Sequence, residues 1–423
     1  MLEDLGKKPI RAVGRASSTR RAPAVPADVR VGNLLRVLRT LREAETLSRS
    51  DLARLTSLGV PTVHRLILDL LALGLITEIP ARQDGGQKGR PAVMYQQRDL
   101  GVVVAGVDVG NETTRFALAS ASGRLLASHQ IRSSAVRRDL VAGIASGIEA
   151  LLAGHNVALG TLAGIGIGVA AAVHPARGTL QNPPRHRNWQ GLALGKLVQQ
   201  RLGCPALVQQ DDHFAAIAEA SSVGTFPGAN SLLVLEIGTG IGAAMMVDGV
   251  SVVGAHGRFG RIASWPVTTP RRGVAKSTLG VSLVAGGLVE DYHRREGRRP
   301  VRDGASLFAA AADGDLVADA VLAWAGREIA ELVIRLHRFC DPDGIVFGGG
   351  LAGGFATLEP HLRPHLPADI VLAPSVLREN TVLIGAILSS LPYADAWVNQ
   401  RLSEFDAEDR ANRGHLSLTE FVS

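Results

Sequence analysis

Cysteine is almost missing from this 423-residue chain: Cys204 and Cys340 are the only two, far apart and outside any CxxC pair. That scarcity excludes a disulfide framework and a zinc site built on cysteine thiolates, and both residues read as small buried apolar side chains. Long apolar runs are missing as well. None approaches the roughly 20 residues that cross a bilayer, and the basic N-terminus leads into no apolar signal segment, so a soluble cytoplasmic protein without membrane contact is expected. Positive excess is missing from most of the chain. Residues 97–423 hold 29 Lys/Arg against 30 Asp/Glu, whereas residues 1–30 hold seven against three and residues 31–96 nine against six. All of the positive excess, +7 against a net charge of +6 for the chain, therefore lies before residue 97, where a polyanion would be met. The length exceeds what one core organises, so two or three domains are expected.

Residues 1–30, with "RRAPAVPADVR", read as a basic disordered arm. From Val31 a helical period appears: Leu34, Leu35, Leu38 and Leu41 share a face, with Arg36, Arg39 and Arg42 elsewhere. Ser48 or Ser50 can cap a second, short helix over "DLARLTSL". Gly59 permits a turn, and Pro61 suits the first turn of a third helix. On that helix Val63, Leu66, Leu70 and Leu71 are expected to be buried, leaving Thr62, His64, Arg65 and Asp69 facing outward. Helix, turn and helix in this order place the N-terminal side chains of the third element against base edges. "LITEIPARQDGGQKGRPAVMYQ" then reads as two strands around a basic tip carrying Lys88 and Arg90, a wing that contacts phosphate or the minor groove. A small helical protein-binding unit would share the periodicity; the wing and the segregated charge favour DNA.

After residue 100 the texture changes to apolar strands punctuated by glycine. "GVDVGNETTRFALASASGRLLAS" from Gly106 and "LVLEIGTGIGAAMMVDGVSVVG" from Leu233 echo each other at a spacing of about 127 residues. Such a spacing predicts duplicated α/β halves facing each other across a cleft. "LAGIGIGVAAAVHP" adds a buried strand, "GLALGKLVQQRLG" an amphipathic helix, and "PDGIVFGGGLAGG" a strand running into a glycine turn. Glycine turns after strands let backbone N–H groups approach phosphate oxygens.

The stretches "SRSDLARLTSLGVPTVHRLILDLLALGLI", "GRPA", "GVDVGN", "GIGIGVAAAVHPARGTL", "VQQDDHFAAIAEA", "EIGTGIGAAMMVDG", "GRFGRIASWPV" and "DPDGIVFGGGLAGG" resemble the ROK family of sugar kinases and sugar-responsive repressors. The resemblance covers most of residues 31–390. It implies an α/β fold: a winged helix-turn-helix over 31–96 followed by a two-lobed actin-like ATPase (ribonuclease H-like) body. The lobes are then 97–220 and 221–390, with 391–423 a C-terminal extension that is either helical or mobile. Asp211 matches the general base of the family's kinases, and equally reads as an acceptor for a sugar hydroxyl or as a helix cap.

The nucleotide loops map to Asp108 and Gly110, to Gly238, Thr239 and Gly240, and to Gly348 and Gly349. The first has lost a glycine and a lysine and holds Glu112, expected to repel polyphosphate. The sugar-contacting stretch reads "RIAS", with Arg261 and Ser264 in place of a glutamate and a histidine. Arg261 either selects an acidic or phosphorylated sugar or faces outward. Asn182, Trp189, Gln210 and His213 complete the effector candidates, and each equally serves packing or a turn. The family's structural zinc is expected to be absent, since "TTPRRGVAKSTLG" offers no cysteine or histidine. No other cofactor is expected. The resemblance implies a regulator, expected to repress carbohydrate genes as a homodimer or homotetramer on paired half-sites of double-stranded DNA, under control of a sugar-derived effector and without phosphotransfer. An ATP-dependent sugar kinase with an appended DNA reader is the alternative.

Overall fold

The computed structural model describes residues 9–11, 26–80, 93–183, 186–269 and 277–419. Helix α1 (Pro26–Ala44) starts before the periodic stretch, because a first turn tolerates proline: the missing N–H has no intrahelical partner to lose. Strand β1 (Thr46–Ser48) leads into α2 (Arg49–Thr56), whose N-cap Ser48 accepts the amide of Asp51. The chain then bends by 112° into α3 (Val60–Ala72). The left-handed residue of that turn is Ser57, at φ 55°; Gly59 is the extended N-cap of α3, at φ −63°, and its glycine freedom is not used. Strands β2 (Ile76–Ile79) and β3 (Met94–Gln97) join β1 in an antiparallel sheet ordered β1-β3-β2. The wing tip between them, with Lys88 and Arg90, lies outside the described residues.

The first lobe runs through β4 (Val103–Val109), β5 (Thr113–Ser120), β6 (Leu125–Arg132), α4 (Leu140–Gly154), β7 (Leu162–Val169), a hairpin of β8 (Ala172–Val173) and β9 (Leu180–Gln181), α5 (Leu194–Leu202), β10 (Ala206–Gln210) and α6 (Asp211–Glu219). The second runs through β11 (Ser231–Ile237), β12 (Ile241–Val247), β13 (Val250–Ser251), α7 (Ala285–Arg294), α8 (Gly304–Ala312), α9 (Leu316–Cys340), β14 (Gly344–Gly348), α10 (Phe355–Leu362) and β15 (Leu372–Pro374). The main sheets are ordered β10-β7-β4-β5-β6 and β13-β12-β11-β14-β15. In each, three antiparallel strands are followed by two parallel ones beside the first strand. One topology thus occurs twice, as the sequence echo predicts.

The last helix, α11 (Thr381–Thr419), leaves the second lobe and lies back on the first. Alternation in "GIGIGV" explains the fit. Ile165 and Ile167 point into the lobe's core, whereas Gly164, Gly166 and Gly168 face α11. A Cβ on Gly164 would come within 2.5 Å of Tyr393, one on Gly106 of β4 within 2.8 Å of Ile387, and ones on Gly166 and Gly168 would overlap Ala386 and Val382. The helix therefore beds against the sheet backbone. The helical stretch Arg378–Ala411, a short turn followed by most of α11, is long and apolar enough to cross a membrane by length and composition, and more than half of its apolar window is buried inside the protein.

Three boundaries differ from the sequence reading. Residues beyond 390 continue α11, and Ala394, Val398 and Leu402 are buried in one cluster with Leu34, Leu38 and Leu41 of α1. Helix α6 shares a core with the second sheet through Ala215 and Ala216, packed with Leu232, Val234 and Val346. Within the region read as a disordered arm, Ile10 is docked: its amide donates to Gly123 O at 3.0 Å, and its side chain is buried among Leu377, Ile384 and Leu388.

Candidate nucleic-acid interface and ligand cleft

On α3, Val63, Leu66, Ile67 and Leu70 are buried and hold the helix to α1 and α2, while Thr62, His64 and Arg65 are exposed together near its start. Leu71 is only half-buried; Ile67 takes the inward place. Asp69 is not free. Its carboxylate accepts from Arg30 at 2.8 Å, and the same guanidinium donates to Asp406 at 3.0 Å and Asp409 at 2.7 Å on α11. These three carboxylates push the Arg30 pKa further up against the desolvation that opposes them. A second tie joins Arg42 of α1 to Asp395 of α11 at 2.9 Å. An exposed face bearing Arg65 and no free carboxylate is the surface of α3 that can meet a phosphate-lined groove.

Between the lobes lie two adjoining cavities of about 430 and 910 Å³. Asp211, the first residue of α6, lines both, as do Asn111, Asp212, Glu236 and Gly349. Gly238, Thr239, Gly240, Gln210 and Arg261 line the smaller; Asp108, Gly110 and Arg115 line the larger. The two glycine turns meet here, Asn111 Nδ2 donating to Thr239 Oγ1 at 3.5 Å. Gln210 Nε2 donates to Asp212 Oδ2 at 2.8 Å.

Crowded, poorly hydrated carboxylates resist ionisation. Burial raises Asp108 to about 6 despite Arg115 at 3.3 Å. Burial, then the charges of Asp212 and Asp108, hold Asp211 well above the ordinary carboxylate range. Burial also raises Asp212, and burial with Asp212 and Glu219 raises Glu236 to about 8.

Other candidates sit elsewhere. Trp189 is 4% exposed, in the first-lobe core with its ring 4.1 Å from that of His186, so it has no free face for a sugar. Asn182 is exposed in a left-handed turn at φ 44°, its amide bonded to Gln190, and Ser264 is exposed; neither lines the cleft. Glu112 is exposed and lines neither cavity, so the negative charge of the cleft comes from other residues. Gly348 leaves room for the Glu236 carboxylate beside it, which a Cβ would overlap. The sequence reading missed Asp212 and Glu236. The aspartate doublet in "QQDD" and the lone acid ending the apolar run "LLVLE" were their signals.

The ROK family profile matches residues 104–387, and an IclR helix-turn-helix domain matches residues 31–80. A glucokinase of Halalkalibacterium halodurans is 23% identical over 283 residues, 62% of this chain and 84% of that protein. A xylose repressor of Caldicellulosiruptor bescii is 26% identical over 234 residues, 54% of this chain and 57% of the repressor. Among solved structures, a ROK family transcriptional regulator, a homologue of the Escherichia coli Mlc protein, superimposes with a TM-score of 0.66 at 23% identity, covering 89% of this chain and 99% of that one.

Proposed function

The chain belongs to the ROK family, and from that premise we propose that it is a transcriptional repressor of carbohydrate genes whose hold on double-stranded DNA is set by a sugar or sugar-derived effector in the interlobe cleft. Thr62, His64 and Arg65 read base edges in the major groove, and Lys88 and Arg90 of the wing contact the backbone. The cleft suits hydroxyl groups: Gln210, Asp211 and Asp212 offer acceptors and donors side by side. The observation that carries the reading is that α3, α1 and α11 share one buried core and one ion-pair cluster, so the reader and the cleft-lining body move as neighbours. A ligand that favours one arrangement of the lobes thereby alters the spacing of two readers in a homodimer.

The body binds rather than phosphorylates. A general base works in its ionised form, and burial, then the charges of Asp212 and Asp108, raise Asp211 well above the ordinary carboxylate range, which disfavours that form. The structural zinc of the family does not fit residues 268–280, which hold no thiolate or imidazole. Instead, the carboxylate of Glu328 accepts the amides of Thr268 and Thr269 and anchors the start of that segment.

Fluorescence anisotropy of the full chain with duplexes from upstream of its own gene tests the proposal. Tight binding at low salt is expected, weakened by one sugar of a panel; Arg65→Ala is expected to cost about 1–3 kcal/mol on the preferred duplex only. Absence of binding to every such duplex sinks the regulator reading. Sugar-dependent ADP release that Asp211→Asn abolishes replaces it with the kinase.

A further inference from the structure

Beside the cleft, the first lobe holds another cavity of about 320 Å³, between the loop after β8, the start of α5, β10 and the first turn of α6, with Val253 and Gly257 opposite. Its chemistry is the reverse of the cleft's. His174, Arg177, Lys196 and His213 line it, and among the described residues no carboxylate does. Neither Arg177 nor Lys196 has a partner among the described residues, and both are exposed at the rim.

Helix α5 brings its N-terminus to the same cavity. Its N-cap is Ala193, which supplies no side-chain acceptor, and Gly195 and Lys196 of the first turn line the wall. First-turn amides lack intrahelical acceptors, and together with the helix dipole they attract an anion. A second, independent observation is His213. It is 2% exposed, and its Nδ1 lies 2.8 Å from Ser251 Oγ, leaving Nε2 without a partner among the described residues. When the Ser251 hydroxyl donates to Nδ1, the ring proton sits on Nε2 and can be donated into the cavity. Burial pushes the His213 pKa down to about 4, so the ring serves as a neutral donor at physiological pH.

We propose that this cavity is an anion site for a phosphate monoester or inorganic phosphate, held by the first-turn amides of α5, His213 Nε2 and the cations of Arg177 and Lys196. The anion arrives either free or as the phosphate of a sugar. Gln210 lines both this cavity and the cleft, so the two sites are neighbours. The proposal does not rest on the regulator reading, because its readout is small-molecule binding to the full chain.

Isothermal titration of the full chain with inorganic phosphate, with a hexose 6-phosphate and with the matching neutral hexose tests it. Saturable binding of at least one of the two phosphate compounds is expected. The double variant Arg177→Ala, Lys196→Ala, at exposed positions, is expected to weaken that binding tenfold or more and to leave any neutral-hexose isotherm unchanged. Hexose phosphate binding more tightly than inorganic phosphate and displacing it identifies a sugar-borne anion. Inorganic phosphate binding at least as tightly identifies a free one. No saturable binding of either compound, or equal binding by the double variant, overturns the proposal. Loss of operator binding alone leaves it standing.

Discussion

Glu236 is the next-to-last residue of β11, after the apolar run Leu232–Leu235, near Asp212 and backed by Gly348. Its pKa is raised from 4.5 to about 8, first by burial and then by neighbouring carboxylates. A group whose folded value is raised contributes stability that is fully present below its unfolded value and is lost as pH rises through the folded one. Thermal stability is therefore expected to fall between about pH 4.5 and pH 8, with Asp108 contributing between 3.8 and about 6. Glu236→Gln removes the ionisation. Calorimetry is expected to show the variant more stable than the parent above about pH 8, by about 1 kcal/mol or more, and equal to it near pH 4.5. Equal melting curves throughout would mean that the cleft hydrates this carboxylate. The sequence could name Glu236 as an odd charge in a strand, but its neighbour Asp212 comes from another element, and only the fold brings the two together.

Among the elements, α11 is tied to the N-terminal helices by ion pairs of Asp395, Asp406 and Asp409. Arg30 bridges α3 and α11 through three carboxylates, with side-chain exposures of 22% for Arg30 and between 4% and 26% for its partners. Part-buried pairs lie between the near-zero worth of surface ion pairs and the 3–5 kcal/mol cost of breaking a buried one. Arg30→Met is expected to destabilise the reader by about 2 kcal/mol and to weaken operator binding, with restoration by Arg30→Lys only partial because lysine cannot fork between carboxylates. Unchanged unfolding and binding would make the cluster an idle surface feature. Helices α1 to α3 were legible because their leucines repeat at helical spacing and Ser48 marks a cap. The three-residue β1 was not, being too short to show alternation. Beyond residue 390, Ala394, Val398 and Leu402 recur every four residues, but charged neighbours mask that stripe, and its partners lie more than 350 residues earlier in the chain.

At the scale of the molecule, the reader shares one buried cluster with α11 and with Val104, Ala117 and Ala163 of the first lobe's sheet, rather than hanging as a bead on a linker. Hydrogen exchange is expected to protect α1 and α3 to the same level as the first half of α11, since they would open as one unit. Exchange of α1 and α3 well ahead of α11 would show that the reader opens by itself. The duplicated topology was readable from the glycine-rich echo, whereas the return of the chain onto its first lobe was not, because nothing local in "TVLIGAILSS" names the sheet it covers. From Thr381 at the cleft to Asp406 at the reader, α11 runs roughly 38 Å at 1.5 Å per residue. The row of residues without side chains beneath it then has a remote reach. A single methyl added at Gly166 would lift the rod from its bed, and the loss would be felt at the operator, by way of a position that touches neither nucleic acid nor sugar.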